Sequence, residues 1–368
     1  MELARRNSVS SFFFQIAYSL FLTYSLLGHV SFLHEPLKLA TTGALAILAI
    51  NFIIQYDKCS QREFFGYVFL MMVALGTSFT NGDYGLFKII LFAGSIRTLN
   101  YKDIIRFAMW LRLCLMLLVV ALCTMGIIPD IIRTYEGTVR HSLGFTNPNA
   151  LGTAAFILIC DMLYISDMKV NFSRLLVVGG IFIWLYVVAR CRTAAAAIAA
   201  LSVVACIYTI KPQLFKHPLV KRLFCLMPIM LFVLTNFITM QYNHGNAWAI
   251  DLNKFLSGRI ETISEFFSVL SPKLMGQPLS ATFRNSLDNA YAFILLDLGV
   301  VITIIFIIAV IRLVCRNYDV GDIPLCIIMM AFLCYGLSEH LWINADYNLF
   351  VLALCYNPAN KVRKRNFI

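Results

Sequence analysis

Long apolar stretches separated by short polar segments make up most of this chain. Most of these stretches hold roughly 17 to 25 residues, the length at which an α-helix crosses the hydrocarbon of a bilayer. The pattern predicts spanning helices near residues 10–30, 36–56, 64–80, 84–98, 107–128, 147–166, 174–189, 193–210, 223–240, 289–313, 323–338 and 345–357. The fourth and twelfth are the shortest, and a re-entrant or interfacial segment is the alternative for each. The chain is therefore predicted to be an all-α integral membrane protein with about 12 transmembrane helices, a single polytopic domain over residues 1–368.

Composition supports this class independently of the pattern. Hydrophobic residues are 60% of the chain and charged residues 13%, whereas soluble domains carry roughly 25% charged residues. The mean hydropathy is +0.79. No water-soluble core can bury so large an apolar fraction, so a soluble enzyme is excluded.

The basic residues indicate orientation. A net charge of +11 suggests a nucleic-acid partner at first sight, but the positions of the basic residues fit the positive-inside rule better. With a cytoplasmic N-terminus, the cytoplasmic segments hold about twice as many Lys and Arg as the outer ones, and twelve crossings return the basic tail 361–365 to the cytoplasm. We expect both termini in the cytoplasm, one extracytoplasmic loop at about 241–287 between helices nine and ten, and no nucleic-acid partner.

Arginines on the predicted outer face need an explanation, because the positive-inside rule disfavours them there. A guanidinium offers a planar set of donors that matches phosphate oxygens, so converging arginines suit a pyrophosphate. A lipid-phosphate contact or a surface ion pair is the alternative for any one of them. The outer loops lack an Asp-x-Asp pair for magnesium, so we expect arginine rather than metal to neutralise a leaving group, and no cofactor. The arginines in question are Arg133, Arg140, Arg190, Arg192, Arg259 and Arg284.

Three ionisable residues fall within the predicted spans, where charge is costly. Arg112 and Asp161 lie near the cytoplasmic ends of successive helices, so we expect them to form a structural ion pair. Asp297 lies too deep in helix ten to reach the surface, so we expect it to face a polar cavity or a partner helix.

Two outer segments, RHSLGFTNPNALG at 140–152 and the stretch 257–299, resemble the O-antigen and capsular polysaccharide polymerase (Wzy) family. The ARCRTAAAA run at 189–197 is similar to the Ser-Arg-Thr junction of that family, with Cys191 in place of the usual serine, which puts the local hydrogen bonding there in doubt. The residues that carry the resemblance are Gly144, Phe145, Asn147, Pro148, Asn149 and Gly152, then Ser257, Gly258, Arg259, Pro272, Gly276, Pro278, Asp288, Asn289, Tyr291 and Gly299.

The resemblance implies a multi-pass glycosyltransferase of the bacterial plasma (inner) membrane. Such an enzyme joins undecaprenyl-pyrophosphate-linked oligosaccharide repeat units into a surface polysaccharide, and the family is related to O-antigen ligases. The implied partners are lipid-linked glycans and the bilayer, with room for a chain-length regulator.

Site residues follow as expectations. Arg190, Arg192 and Arg259 form the predicted pyrophosphate clamp, with Arg140 as a weaker fourth member. Asp288 is the predicted base, although an Asp at a helix start is also an ordinary N-cap. The competing base is His340, oriented by Glu339, and His141 is third. Residues predicted to shape the site are His141, Asn147, Asn149, Asn289 and Tyr291.

Other functions remain open at this point. A ligase-like enzyme would share the donor clamp and pass the glycan to another acceptor. A transporter or flippase would use Asp297 and Asp161 to carry coupling protons. A sensor or scaffold would not depend on the outer arginines.

Overall fold

A computed structural model describes residues 2–56, 60–97, 99–135, 138–340 and 344–355. Across those residues, nine helices are long and apolar enough to cross a membrane, and two shorter apolar helices accompany them. The chain is a multi-pass helical membrane protein, as its hydropathy pattern predicted.

The helices follow the predicted stretches closely at most of their ends. Ser60, for example, starts the third helix by accepting a hydrogen bond from the backbone of Glu63, whose carboxylate accepts from the backbone of Ser60. The helices are α1 (Glu2–Leu27), α2 (Ser31–Tyr56), α3 (Gln61–Asn81), α4 (Gly85–Ser95), α5 (Tyr101–Thr124), α6 (Pro148–Ile165), α7 (Phe172–Trp184, continued by a π-helical turn Leu185–Ala189), α8 (Arg192–Ile210), α9 (Pro212–Phe215), α10 (Pro218–Asn243), α11 (Ala247–Phe255), α12 (Arg259–Val269), α13 (Ala281–Ser286), α14 (Ala290–Phe293, continued by a π-helical turn Ile294–Leu298), α15 (Val300–Val320) and α16 (Ile323–Tyr335).

A short antiparallel hairpin lies between α5 and α6. Its strands are β1 (Ile132–Tyr135) and β2 (Thr138–His141), and Arg133 lies directly opposite Arg140. The sequence pattern did not predict these strands. We call the end of the bundle that carries this hairpin the hairpin end, and the other end, where α5 and α16 begin, the opposite end.

The predicted ion pair inside the bundle is confirmed. Arg112 on α5 bonds the carboxylate of Asp161 on α6, and it also donates to the backbone oxygen of Tyr347 at 2.6 Å and to the hydroxyl of Tyr18 at 3.1 Å. Both charged side chains are buried. The pair joins α1, α5, α6 and the C-terminal segment, which is a structural role.

Predicted helix ten is interrupted. Gly299, at φ +92°, separates α14 and its π-helical turn from α15. A Cβ on Gly299 would lie 2.2 Å from the backbone nitrogen of Gly276, so the loop before α13 fits against this break only because both residues are glycine. Asp297 lies beside the break and is bonded by Arg284 at 2.7 Å and by Asn81 of α3 at 3.2 Å. The expectation of a partner helix for Asp297 is confirmed.

The last predicted span, 345–357, contains a helix that is shorter than expected and is not an α-helix. Residues Leu349–Leu354 form a 3-10 helix, and residues 356 and 357 lie outside the described residues. Tyr101, at the start of α5, donates to Leu349, and Arg316 donates to Ala353 at 2.9 Å. The chain therefore turns back towards the opposite end. The predicted loop 241–287 is itself largely helical, since it contains α11, α12 and α13.

Candidate functional site

Arg259 is placed by a sharp reversal of the chain at the hairpin end. Ser257 and Gly258 both have positive φ, at 59° and 82°, and Arg259 is the first residue of α12. A non-glycine residue in the left-handed region is uncommon and costs free energy. The Ser-Gly-Arg motif thus aims one guanidinium into the bundle.

The guanidinium of Arg259 brings three separate parts of the chain together. Its Nη2 donates to Oε1 of Glu339 at 2.8 Å, and its Nη1 donates to Oγ1 of Thr193 on α8 at 3.1 Å. Its Nε lies 3.6 Å from Oδ2 of Asp288. A predicted clamp residue, the predicted base and the carboxylate predicted to orient His340 therefore form one cluster, which we call the Arg259 cluster (Thr193, Arg259, Asp288 and Glu339).

Asp288 faces Arg259 instead of capping the following helix. The N-cap of α14 is Asn289, whose side-chain oxygen accepts from the backbone of Tyr291 at 3.0 Å and of Ala292 at 2.9 Å. The N-cap interpretation of Asp288 is therefore wrong. Burial raises the pKa of Asp288, while the charges of Arg259 and Arg133 act in the opposite direction. With its side chain 31% exposed, Asp288 is the member of the carboxylate pair that a substrate can reach.

Glu339 is the enclosed member of the pair. Its side chain is only 4% exposed. Burial, and then the neighbouring charge of Asp288, raise the pKa of Glu339 to about 8 in spite of Arg259. A carboxyl of this kind is largely protonated near neutral pH, so it holds Arg259 in place more readily than it accepts a proton.

His340 lies apart from the cluster. Its ring stacks on Phe293 with centroids 4.7 Å apart, and burial lowers its pKa to about 4. The predicted pairing of His340 with Glu339 is not formed, because the Glu339 side chain turns to Arg259. His340 therefore stays neutral near pH 7, half-buried and hydrogen-bonded to the backbone of Leu287.

The junction between α7 and α8 presents two further cations. Arg190 adopts φ +54° and ends the π-helical turn, while Arg192 begins α8. Both side chains are exposed, and neither makes a hydrogen bond or an ion pair with any residue in the described ranges. Arg259 reaches this junction through Thr193, the residue after Arg192. Two of the predicted clamp residues are therefore available to an anionic ligand.

Cys191 provides the hydrogen bond that the resemblance left in doubt. Its thiol donates to the backbone oxygen of Pro148, with the two atoms 2.8 Å apart. A Cβ on Gly152 would lie 2.8 Å from Cβ of Ala194, so this glycine lets α6 approach α8 closely. The junction is thereby fixed against the start of α6.

The hairpin adds two arginines to the same region. Arg133 and Arg140 are cross-strand partners, so their side chains leave the same face of the hairpin. The field of Arg133 acts on Asp288, and that of Arg140 acts on Cys191. Like charges directly opposite each other destabilise a strand pair. The hairpin thus places two like charges opposite each other, close to the Arg259 cluster and the α7–α8 junction.

The remaining predicted residues support the local structure. His141 bonds Asp130 at 2.6 Å, and Asp130 also accepts from the backbone of Leu143. Partial burial opposes ionisation of Asp130, but these hydrogen bonds outweigh it and lower its pKa. Asn147 caps α6, because its side-chain oxygen accepts from the backbone of Ala150 at 2.8 Å. Asn149 is half-buried in the first turn of the same helix.

Tyr291 and Asn289 belong to the packing beneath the site. The Tyr291 hydroxyl donates to the backbone oxygen of Leu333 at 2.7 Å, and the side chain is buried. The amide of Asn289 donates to Leu337 at 2.9 Å. These bonds tie α14 to the end of α16, which places Asp288 and Glu339 beside each other.

The sequence analysis did not identify two residues of this region, Thr193 and Asp130. Thr193 stands in the ARCRT run, but only the arginines of that run carried a functional signal. Asp130 precedes the hairpin and organises its second strand, yet an isolated Asp in a loop gives no indication of this. Spatial proximity was the missing information in both cases.

The arrangement suits chemistry on an anionic lipid head. The carboxylates of Asp288 and Glu339 lie at the hairpin end, where the spanning helices α6, α8 and α15 begin, together with the arginines Arg133, Arg140, Arg190, Arg192 and Arg259. One carboxylate is accessible, and one guanidinium is held between the carboxylates. No family model, curated protein or solved structure matches the chain.

Proposed function

We propose that this protein is a polysaccharide polymerase, a membrane glycosyltransferase that joins lipid-pyrophosphate-linked oligosaccharide units. The observation that carries the proposal is the Arg259 cluster, in which a half-buried arginine holds an accessible carboxylate beside additional exposed arginines. Inverting glycosyl transfer requires one base and a cationic group for the leaving phosphate.

In the proposed reaction, Asp288 takes the proton of the acceptor hydroxyl. The resulting oxygen attacks the anomeric carbon of the donor glycan, and a new carbon–oxygen bond forms. The bond from that carbon to the pyrophosphate breaks, and its electron pair leaves with the lipid pyrophosphate. Arg190 and Arg192 bind the developing negative charge.

Arg259 connects the two halves of this reaction. It lies between Asp288 and Thr193, so it has one edge towards the base and another towards the α7–α8 junction. Glu339 acts as a positioning residue, because its carboxyl contacts Arg259 and is closed off from substrate. Arg133 and Arg140 add positive potential at the same mouth.

The two carboxylates that a transporter would use to carry protons are both bonded within the protein. Asp161 is bonded to Arg112, and Asp297 is bonded to Arg284 and Asn81. An acid that carries coupling protons must exchange them with water, and these two are enclosed by arginine-containing networks. This favours an enzyme over a proton-coupled carrier.

The test is transfer by purified full-length protein in detergent, supplied with a defined lipid-linked repeat unit. A ladder of longer glycans is expected. Arg259→Ala should lower the initial rate about 100- to 1000-fold, as for loss of a charge-stabilising donor. Arg222→Ala is the matched control, since Arg222 is an exposed arginine near the start of α10, at the opposite end.

Three outcomes would contradict the proposal. Unchanged substrate with the wild-type protein points to transport or to transfer onto another acceptor. A single addition to a second acceptor glycan, without a ladder, identifies a ligase. Equal rates for Arg259→Ala and Arg222→Ala remove the Arg259 cluster from the chemistry.

A further inference from the structure

A deep cleft runs along the bundle, away from the Arg259 cluster. It encloses about 830 Å³ between α3, α4 and α15, a volume in the range of ligand sites. Apolar side chains line most of its length, among them Tyr67, Leu70, Ile302 and Phe306. A concave apolar surface of this size differs from the convex helix faces that ordinary lipid contact covers.

The charges at the two ends of the cleft are not equivalent. At the hairpin end, Arg284 is paired with Asp83 and Asp297, and Lys88 is paired with Asp346. The positive charge there is balanced by carboxylates of the protein. An anionic head at that end would have to displace these pairs.

At the opposite end, one arginine that lines the cleft has no ion pair among the described residues. Arg97 is paired with Glu63, whereas Arg312 is exposed and has no ion pair with any described residue. Arg316 lies one helical turn further along α15, lines the same cleft and donates to the backbone of Ala353. Residues four apart share a helix face, so the guanidiniums of Arg312 and Arg316 lie side by side at the mouth of the apolar channel.

We infer that the cleft is a binding site for an anionic phospholipid of the surrounding bilayer. Its acyl chains occupy the channel between α3 and α15, and its phosphate contacts Arg312 and Arg316. Arginine suits this headgroup because its donors match phosphate oxygens and its charge persists at any physiological pH. The site lies at the other end of the cleft from the hairpin end and does not depend on the proposed transfer reaction.

The test uses full-length protein in nanodiscs that contain equal amounts of phosphatidylglycerol and phosphatidylcholine, followed by native mass spectrometry of the lipids that remain after detergent extraction. Wild-type protein should retain phosphatidylglycerol preferentially. Arg312→Gln should reduce that preference about fivefold, the effect of one interfacial arginine. Arg222→Gln, the same change at an exposed arginine outside the cleft, should leave it unchanged.

A second pair of variants tests the channel itself. Gly66 lines the cleft, and a Cβ there meets nothing within 4 Å, so Gly66→Leu fills the channel without a backbone clash. Both phospholipids should then be lost together. Gly43→Leu on α2 is the control, because Gly43 also has open space but does not line the cleft.

The result that overturns the inference is also clear. Retention of phosphatidylglycerol that is equal in wild type, Arg312→Gln and Gly66→Leu would place the lipid elsewhere. Preferential retention of a polyprenyl phosphate, when it is added in competition, would assign the cleft to an isoprenoid instead.

Discussion

Two arginine–carboxylate clusters in this protein contain the same chemical groups but serve different purposes. Around Arg112, a single carboxylate, one carbonyl and one hydroxyl enclose the guanidinium, and the pair has no contact with solvent. Around Arg259, two carboxylates share one guanidinium, and one of them remains accessible. The first arrangement stabilises a helix junction, and the second leaves a group able to react.

The comparison teaches that burial alone does not identify a functional charge. Arg112 and Asp161 lie deeper than Arg259. If the free-energy cost of burying a charge were the only criterion, they would rank as the functional pair. The Arg259 cluster differs in three ways: it has a second carboxylate, exposed arginines at the α7–α8 junction, and two arginines facing each other in the hairpin. The accessible carboxylate and the exposed arginines can be reached by a ligand.

The largest expected effect falls on the enclosed cluster. Arg112→Ala leaves the Asp161 carboxylate buried without its partner, which should cost about 3 to 5 kcal/mol and lower the melting temperature strongly. Arg106→Ala on the same helix is the control, because the Arg106–Asp103 pair is exposed and should be worth less than about 1 kcal/mol. Thermal unfolding in detergent measures both. Equal melting temperatures for the two variants would show that the buried pair does not stabilise the fold.

The next effect concerns rate and leaves stability nearly unchanged. Asp288→Asn preserves size and hydrogen bonding but cannot accept a proton, so the transfer rate should fall about 100- to 10,000-fold with little change in substrate affinity. Initial rates at several concentrations of lipid-linked substrate separate the two quantities. If Glu339→Gln lowers the rate more than Asp288→Asn does, the enclosed carboxyl is the base and the assignment is reversed.

The difference between the clusters also shows how far sequence could lead. Arg112 and Asp161 were predictable as a pair, since each stands near the same end of a neighbouring long helix. Asn147 was predictable as part of a helix start because capping depends on residues within one turn. The apolar stretches located most spans for the same reason, since length and hydropathy are local properties.

Non-local packing decided what the sequence could not reveal. Asp288 and Asn289 are equally good cap residues, and only the position of Arg259 determines which of them caps α14. Glu339 turns from its sequence neighbour His340 to a residue 80 positions away. The break at Gly299 depends on the close approach of Gly276. Such contacts have no local pattern.

A smaller effect separates Glu339 from Asp288 by pH. The pKa of Glu339 is raised from about 4.5 in the unfolded chain to about 8 in the folded protein. The folded state therefore binds this proton more tightly, and the associated stability is complete below about pH 4.5 and is lost as the pH rises through about 8. Glu339→Gln should flatten the decline in melting temperature from about pH 5 to about pH 8.5. Parallel pH profiles for the variant and the wild type would show that Glu339 ionises normally.

The smallest expected effects come from a change in the hairpin. Stability and transfer rate should respond to it differently. Arg133→Thr removes one of two like charges that face each other across the strands, so stability should stay level or rise by up to about 1 kcal/mol. The same change removes positive potential beside Asp288, so transfer should slow a few-fold. Thr134→Ser, on the adjacent position of the same strand, controls for strand disturbance. A lower melting temperature together with wild-type transfer would mean that the arginine pair serves the fold, and the facing arginines of the hairpin would no longer distinguish the two clusters.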